Sequence, residues 1–217
     1  MARFFVTGSS DGLGLATAKH LVAQGRQVVL HARNADRARD ATAGCPRCDA
    51  VLTAPGKSGL PSLFTVDTLA PYMRTCLMAR PKRLVFISSP LHSGGQHNLG
   101  GTEGGRDIRD SHYGDSKVHV MMLTKASARR WPDVQCSTAA PGWVPTKVGG
   151  ESAPDRLEDA VDTFAMVALD EGPSPSQSYF EYFKEQKPIA VAGDVALQDQ
   201  LLAELSRRSG VPVPEEQ

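Results

Sequence analysis

The feature that most constrains the fold is the first junction of the chain. An apolar run, "RFFVT" (3–7), meets a glycine turn, "GSSDGLG", and then a periodic segment, "LATAKHLVAQG", that stops at Gly25. This reads as a buried strand, a tight turn and a helix with a glycine stop. Glycines at positions 8, 12 and 14 let the backbone turn sharply and approach a pyrophosphate, while the helix start offers unpaired N–H groups and the positive end of its dipole. A glycine-rich turn alone is a weak signal. Placed between a strand and a helix, it has the context that nucleotide binding requires.

The rest of the chain continues the alternation. "QVVLHA" (27–32) reads as a second strand, "ADRARDATAG" as a short polar helix and "CDAVLTAPG" (48–56) as a strand with its exit turn. "SLFTVDTLAPYMRTCLMAR" reads as one long helix, and "RLVFISS" (83–89) as a strand buried on both faces. A Gly- and His-rich loop fills 90–112, and a helix from His112 to about Arg130 follows. "WPDVQCSTAAPG" is a strand and turn, "PDRLEDAVDTFAMVAL" a helix, "QSYFEYF" a last strand and "DVALQDQLLAELSRR" an amphipathic helix. Residues 211–217 read as a loose tail. Strands alternating with helices predict an α/β fold with a mostly parallel sheet, as a single domain over 1–217.

Acidic and basic residues balance at 24 each. That argues against binding driven by charge to nucleic acid or an anionic membrane. No apolar run approaches the roughly 18 residues of a membrane span. The expectation is a soluble cytoplasmic protein acting on a small molecule. Of the four cysteines, Cys45 and Cys48 form a C-x-x-C. They read as loop cysteines, with a redox dithiol or half of a zinc site as the alternative. His92, His97 and His112 lack acidic or cysteine neighbours at ligand spacing, so no metal site is expected.

Two further stretches bear on chemistry. "HYGDSKVH" (112–119) sets Tyr113 and Lys117 one helical turn apart, on one face. Alone they titrate near ~10 and ~10.4. Held together, the ammonium favours the phenolate and pulls the tyrosine down toward useful acid/base range. The second stretch, "LHARN", ends the second strand with Arg33 and no acid before Asp36. That suits the 2′-phosphate of NADP better than the ribose hydroxyls of NAD.

With "TGSSDGLG", "LHARN", "RLVFISS", "YGDSK" and "PGWVPT" in this order, the chain resembles the short-chain dehydrogenase/reductase family over nearly its whole length. The resemblance implies a Rossmann-like, doubly wound parallel sheet, an NADP(H) cofactor and hydride transfer at a carbonyl or alcohol carbon of a small organic molecule. It implies that Tyr113 is the acid/base, that Lys117 lowers its pKa and holds the nicotinamide ribose, and that Ser89 positions the substrate oxygen. It places Gly8, Ser10, Gly12, Leu13, Gly14, Arg33, Gly56, Pro141, Gly142, Val144 and Thr146 with Tyr113 and Lys117 around the cofactor. The loops 90–112 and 143–175 would hold substrate, with Trp143 as a pocket wall. Pairing into a homodimer or homotetramer would use helices over 63–79 and 112–130.

The chain also departs from the family. The usual Asn-Asn-Ala-Gly turn is reduced to "TAPG", with only Gly56 kept. A strand–helix unit of roughly 25–30 residues is missing between Arg33 and Gly56. The preferred reading removes the third strand, an edge of the order 3-2-1-4-5-6-7, because the remaining ladder then stays continuous. The alternative makes "CDAVL" the third strand and deletes the fourth. Asp67 stands where the family has a relay asparagine. Its carboxylate would keep Lys117 protonated and partly cancel its pull on Tyr113. The expected activity is that of an NADP-dependent ketoreductase or alcohol dehydrogenase. The alternatives are a redox-neutral enzyme of the same fold (dehydratase, isomerase or cyclase) or a cofactor-impaired ligand-binding protein.

Overall fold

The computed structural model describes residues 2–48, 50–53, 60–99, 111–169 and 175–213. The first half holds β1 (Arg3–Val6), α1 (Gly12–Ala23), β2 (Gln27–Ala32), α2 (Ala35–Gly44) and β3 (Ala50–Thr53). Next come α3 (Ser62–Phe64), a π-helical turn (Thr65–Leu69), α4 (Ala70–Leu77), β4 (Arg83–Ile87) and a 3-10 turn (Pro90–Gly94). The remainder is α5 (Tyr113–Arg130), β5 (Gln135–Ala140), α6 (Leu157–Leu169), β6 (Tyr179–Glu181), β7 (Lys184–Gln186), a second 3-10 turn (Ala190–Gly193) and α7 (Val195–Ser209). The chain divides into two compact units, Met1–Lys57 with Pro141–Leu169, and Ser58–Ala140 with Asp170–Gln217.

The first unit is built on a parallel three-stranded sheet in the order β1-β2-β3. β2 is the middle strand, and Val28 to Ala32 are all buried, His31 among otherwise apolar residues. Asp11 starts α1 from an extended backbone, its carboxylate accepting the Gly12 N–H. Asn34 does the same for α2, accepting from Arg37 N–H at 2.9 Å. Ala18, Leu21 and Val22 of α1, Val28 and Leu30 of β2, Ala41 of α2 and Ala165 of α6 close one apolar core.

The place of β3 corrects the preferred reading of the deletion. β3 pairs with β2, Val29 lying opposite Ala50 and Ala32 opposite Thr53. It therefore takes the outer position of the third strand, and the edge is filled. Among the described residues, no strand takes the place that the family order puts on the other side of β1. Accordingly β1 is a margin of its sheet, with Phe4, Phe5 and Val6 only half buried. Nothing in the short strand itself chose between two flanks. A four-residue apolar segment pairs with whichever open edge the connection lengths allow.

The second unit carries β4-β5-β6-β7. β4, β5 and β6 are parallel, and β7 returns antiparallel to β6. The single last strand expected over "QSYFEYF" is thus half of a hairpin. The long helix expected over 62–80 ends earlier, at Leu77, and contains a π turn. α5 is buried along most of its length, including Val118, Val120, Met121, Met122 and Leu123, and it packs with Phe64, Tyr72, Leu201 and Leu205. The face expected to pair two copies is thus largely taken up inside the unit. The segment read as a loose tail is tied down as far as Val213. The Tyr72 hydroxyl donates to the Val211 carbonyl at 2.8 Å, and Val211 and Val213 pack on the core. No described helix is long and apolar enough to cross a membrane.

Candidate active site

The glycine turn of the first unit is closed by close approach. A Cβ on Gly14 would lie 2.6 Å from the Gly8 carbonyl oxygen, so only glycine lets the helix start pack on the turn. Gly8 and Gly12 both have positive φ, with open space where a side chain would stand. Two residues that motif reading passed over hold the turn to β2. Buried Ser9 accepts the His31 N–H at 2.8 Å, and the Gly8 N–H donates to His31 Nδ1 at 3.2 Å. Ser10 and Leu13 are half buried beside them, and the Leu13 carbonyl accepts from the Thr17 hydroxyl.

Arg33 is exposed just after β2. A second cation, Arg37, lies 3.7 Å from Asp11, and Lys147 donates to the same carboxylate. The Lys147 hydrogen bond, followed by that from Gly12, holds the Asp11 carboxyl below the usual carboxylate value. In the same unit, Gly142 follows Pro141 with φ of +75°, and Val144 is buried. The Thr146 hydroxyl accepts from Gly149 N–H at 3.1 Å. Trp143, expected to line a pocket, is 56% exposed; its indole N–H donates to the Gly149 carbonyl at 2.8 Å. Gly56 lies outside the described residues, as do 100–110 of the 90–112 loop and 170–174 of the 143–175 segment.

The second unit brings the four expected catalytic residues together. Ser89 ends the β4 segment and opens the 3-10 turn. Tyr113 and Lys117 lie on the first turns of α5, and Asp67 on the π turn. Backbone contact sets the spacing. A Cβ on Gly95 would lie 2.4 Å from the Gly114 carbonyl carbon, and one on Gly114 would lie 2.7 Å from the Leu91 carbonyl oxygen. The 3-10 turn thus presses directly on the start of α5, with the Ser89 hydroxyl accepting from Leu91 N–H at 3.3 Å at the head of that turn. Lys117 Nζ stands 4.9 Å from the Tyr113 ring centre and 3.7 Å from Asp67 Oδ1. The Ser88 hydroxyl donates to the Lys117 carbonyl at 3.1 Å.

The electrostatics differ from the sequence expectation in one respect. Tyr113 is 40% exposed, yet the partial burial of its phenol, with the Asp67 carboxylate second, pushes it above its ordinary value, and Ser89 offsets only part of this. The expected downward pull is therefore not the net result. Burial likewise pushes the Lys117 ammonium down, while Asp67 pushes it back up. Asp67 thus acts on both partners in the directions its charge dictates.

Asp115 is a further residue that the sequence reading missed. It is 2% exposed and accepts from Gln96 N–H (2.7 Å), His112 N–H (2.9 Å) and Asn98 Nδ2 (3.1 Å). Burial raises its pKa, but those three donors outweigh burial and hold it below the ordinary carboxylate value. The signal was present: an acid at the third position of a helix marks a capping box. His119, fully buried, has Nδ1 3.2 Å from the Thr68 hydroxyl and so links α5 to the π turn. Burial pushes it down to about 4, so it is neutral. Among the described residues no cluster of His, Cys, Asp or Glu has the make-up of a metal site.

A family model for short chain dehydrogenases matches residues 3–55. An uncharacterized oxidoreductase of Emericella nidulans is 38% identical over 259 aligned positions, which cover 99% of each chain. Those positions outnumber the chain's 217 residues, so the relative has segments that face gaps here. The short-chain dehydrogenase chyC of Penicillium rubens is 34% identical, over 87% of this chain and 88% of the relative. A solved short-chain dehydrogenase/reductase from Burkholderia multivorans with bound NADP has a TM-score of 0.59 at 20% identity. That match covers 83% of this chain and 96% of the other, and it bears on the fold.

Proposed function

The chain belongs to the short-chain dehydrogenase/reductase family, and from that premise we propose that it is an NADP(H)-dependent oxidoreductase. Its substrate would be the carbonyl or hydroxyl group of a small organic molecule, with Tyr113 as general acid/base. The observation that carries the reading is the Lys117 ammonium, 4.9 Å from the Tyr113 ring centre and 3.7 Å from Asp67, on the same face of α5 as Tyr113. Relatives named as oxidoreductase and short-chain dehydrogenase support the reaction class, and an NADP-bound structure of the same fold supports the cofactor.

The residues present fit a dinucleotide. A side chain at Gly14 would collide with the turn, and the positions beside Gly8 and Gly12 are open. Gly8, Ser10, Gly12, Leu13 and Gly14 would hold the pyrophosphate, and Arg33 would meet the 2′-phosphate, with Arg37 as a further cation near the turn. Pro141, Gly142, Val144 and Thr146 would hold the nicotinamide side. When bound, the nicotinamide supplies or accepts the hydride.

The chain's own residues manage the proton. The Ser89 hydroxyl holds the substrate oxygen and orients the Tyr113 hydroxyl. Tyr113 gives its proton to the developing alkoxide, or takes one from the alcohol in the reverse direction. A raised phenol pKa leaves Tyr113 protonated at neutral pH but a weaker acid, so proton donation depends on Lys117 supporting the phenolate that forms. Lys117 steadies the phenolate left behind, and Asp67 tempers that effect while supporting the ammonium charge.

A fluorescence titration with NADPH, and NADH as comparison, tests the reading. Tight NADPH binding that weakens about tenfold or more in Arg33→Ala, with NADH little affected, is the expected result. Absence of binding by either nucleotide would sink it, and would leave Ser89, Tyr113, Lys117 and Asp67 to redox-neutral chemistry.

A further inference from the structure

We propose that Cys45 and Cys48 are a redox-sensitive dithiol, closing to an intramolecular disulfide when the protein meets a disulfide oxidant such as oxidised glutathione. The proposed oxidoreductase chemistry does not use these residues. Both are thiols in the structure, and their sulfurs are 2.7 Å apart. The turn that brings them together is well formed. The Cys45 N–H donates to the Ala41 carbonyl at 2.9 Å and so closes α2, and the Cys48 N–H donates to the Cys45 carbonyl at 3.2 Å across Pro46 and Arg47. A disulfide needs its sulfurs at about 2.05 Å. Closure therefore asks for a shift of a fraction of an ångström, with no refolding of the turn.

The two thiols differ in access. Cys45 is 3% exposed and belongs to the core of the first unit, whereas Cys48 is partly exposed at the rim of that core. This difference sets an order of events. The Cys48 thiolate attacks one sulfur of the oxidant, expelling one glutathione thiolate and forming a mixed disulfide. Cys45, as its thiolate, then attacks the Cys48 sulfur and expels the second glutathione thiolate. Two protein thiols lose two electrons and two protons in all, and one oxidised glutathione becomes two reduced ones. Dithiols that shuttle disulfides to other proteins sit at helix N-termini, where the dipole supports a thiolate. Cys45 instead caps the C-terminus of α2. The pair is built to close on itself, fastening the end of α2 to the chain that enters β3.

Cys76 and Cys136 serve as internal references. Burial pushes them up to about 11 and about 12, so both stay as unreactive thiols. The test treats the full-length protein with excess oxidised glutathione, blocks remaining thiols with an alkylating agent and weighs the peptides. The peptide carrying Cys45 and Cys48 is expected to lose two hydrogens, resist alkylation and carry no glutathione, while Cys76 and Cys136 alkylate fully once unfolded. Cys45→Ser should retain one glutathione on Cys48, and Cys48→Ser none on Cys45. A native chain that stays alkylatable at both positions, or stops at a glutathione adduct on Cys48, would overturn the proposal. Adduct formation on Cys45 in Cys48→Ser would overturn the order of attack.

Discussion

Replacing Asp67 by Asn keeps the shape of the side chain and removes its charge, and the effect should be read first at Lys117. The two charges are 3.7 Å apart. At that distance a unit pair interacts by about 1.1 kcal/mol with the dielectric of water and about 4.5 kcal/mol at an effective value near 20. Lys117 is 9% exposed and Asp67 22%, so the pair falls between these limits. With 1.36 kcal/mol per pKa unit, the Lys117 pKa should fall by roughly 1–2 units in Asp67→Asn. Burial already holds this ammonium below 10.5, and the substitution deepens that depression. The stability sign follows. Between the folded Lys117 pKa and 10.5 the unfolded chain binds more protons, so stability rises with pH in that window, and Asp67→Asn widens the window downward. The assay is an NMR titration of lysine side-chain carbons, with Lys117→Met to assign the signal. A Lys117 pKa that is unchanged or higher in Asp67→Asn would refute the coupling, and with it the account of how Asp67 bears on Tyr113.

Tyr113→Phe should lower turnover of a carbonyl substrate by roughly 10²–10⁴-fold, while NADPH binding measured by fluorescence stays within about twofold. Asp115→Asn replaces a carboxylate that accepts three hydrogen bonds, and urea unfolding near pH 7 should show a loss of roughly 1.5–3 kcal/mol. Because the folded Asp115 pKa lies below 3.8, its contribution is complete above that value and fades as pH falls through the folded pKa, so wild type and variant should converge in strong acid. Leu205→Ala empties a fully buried place in the core of the second unit, and the same unfolding measurement should register about 2–5 kcal/mol.

Much of this protein is local in origin, and that part was legible in the sequence. The glycine turn could be placed because the strand, the glycines and the helix start lie within about a dozen consecutive residues, and Gly14 is required by a contact only six positions away. Tyr113 and Lys117 share a face because a helix turn is a property of the backbone. Helices α6 and α7 could be read from apolar spacing alone.

What the tertiary structure decided concerns partners distant along the chain. β3 could have flanked either neighbour, and the choice of β2 depended on which edge was open and how far the connection reached. The π turn that carries Asp67 follows from packing against α5, where Thr68 meets His119, fifty-one residues away. Asp115 is identical in sequence terms to a surface capping acid, and only the return of Gln96 and Asn98 onto it makes it a buried anchor. The direction of the Tyr113 shift was hidden for the same reason. Spacing along a helix specifies which charge stands near, but burial and the carboxylate of another element set the balance, and both exist only once the chain has folded.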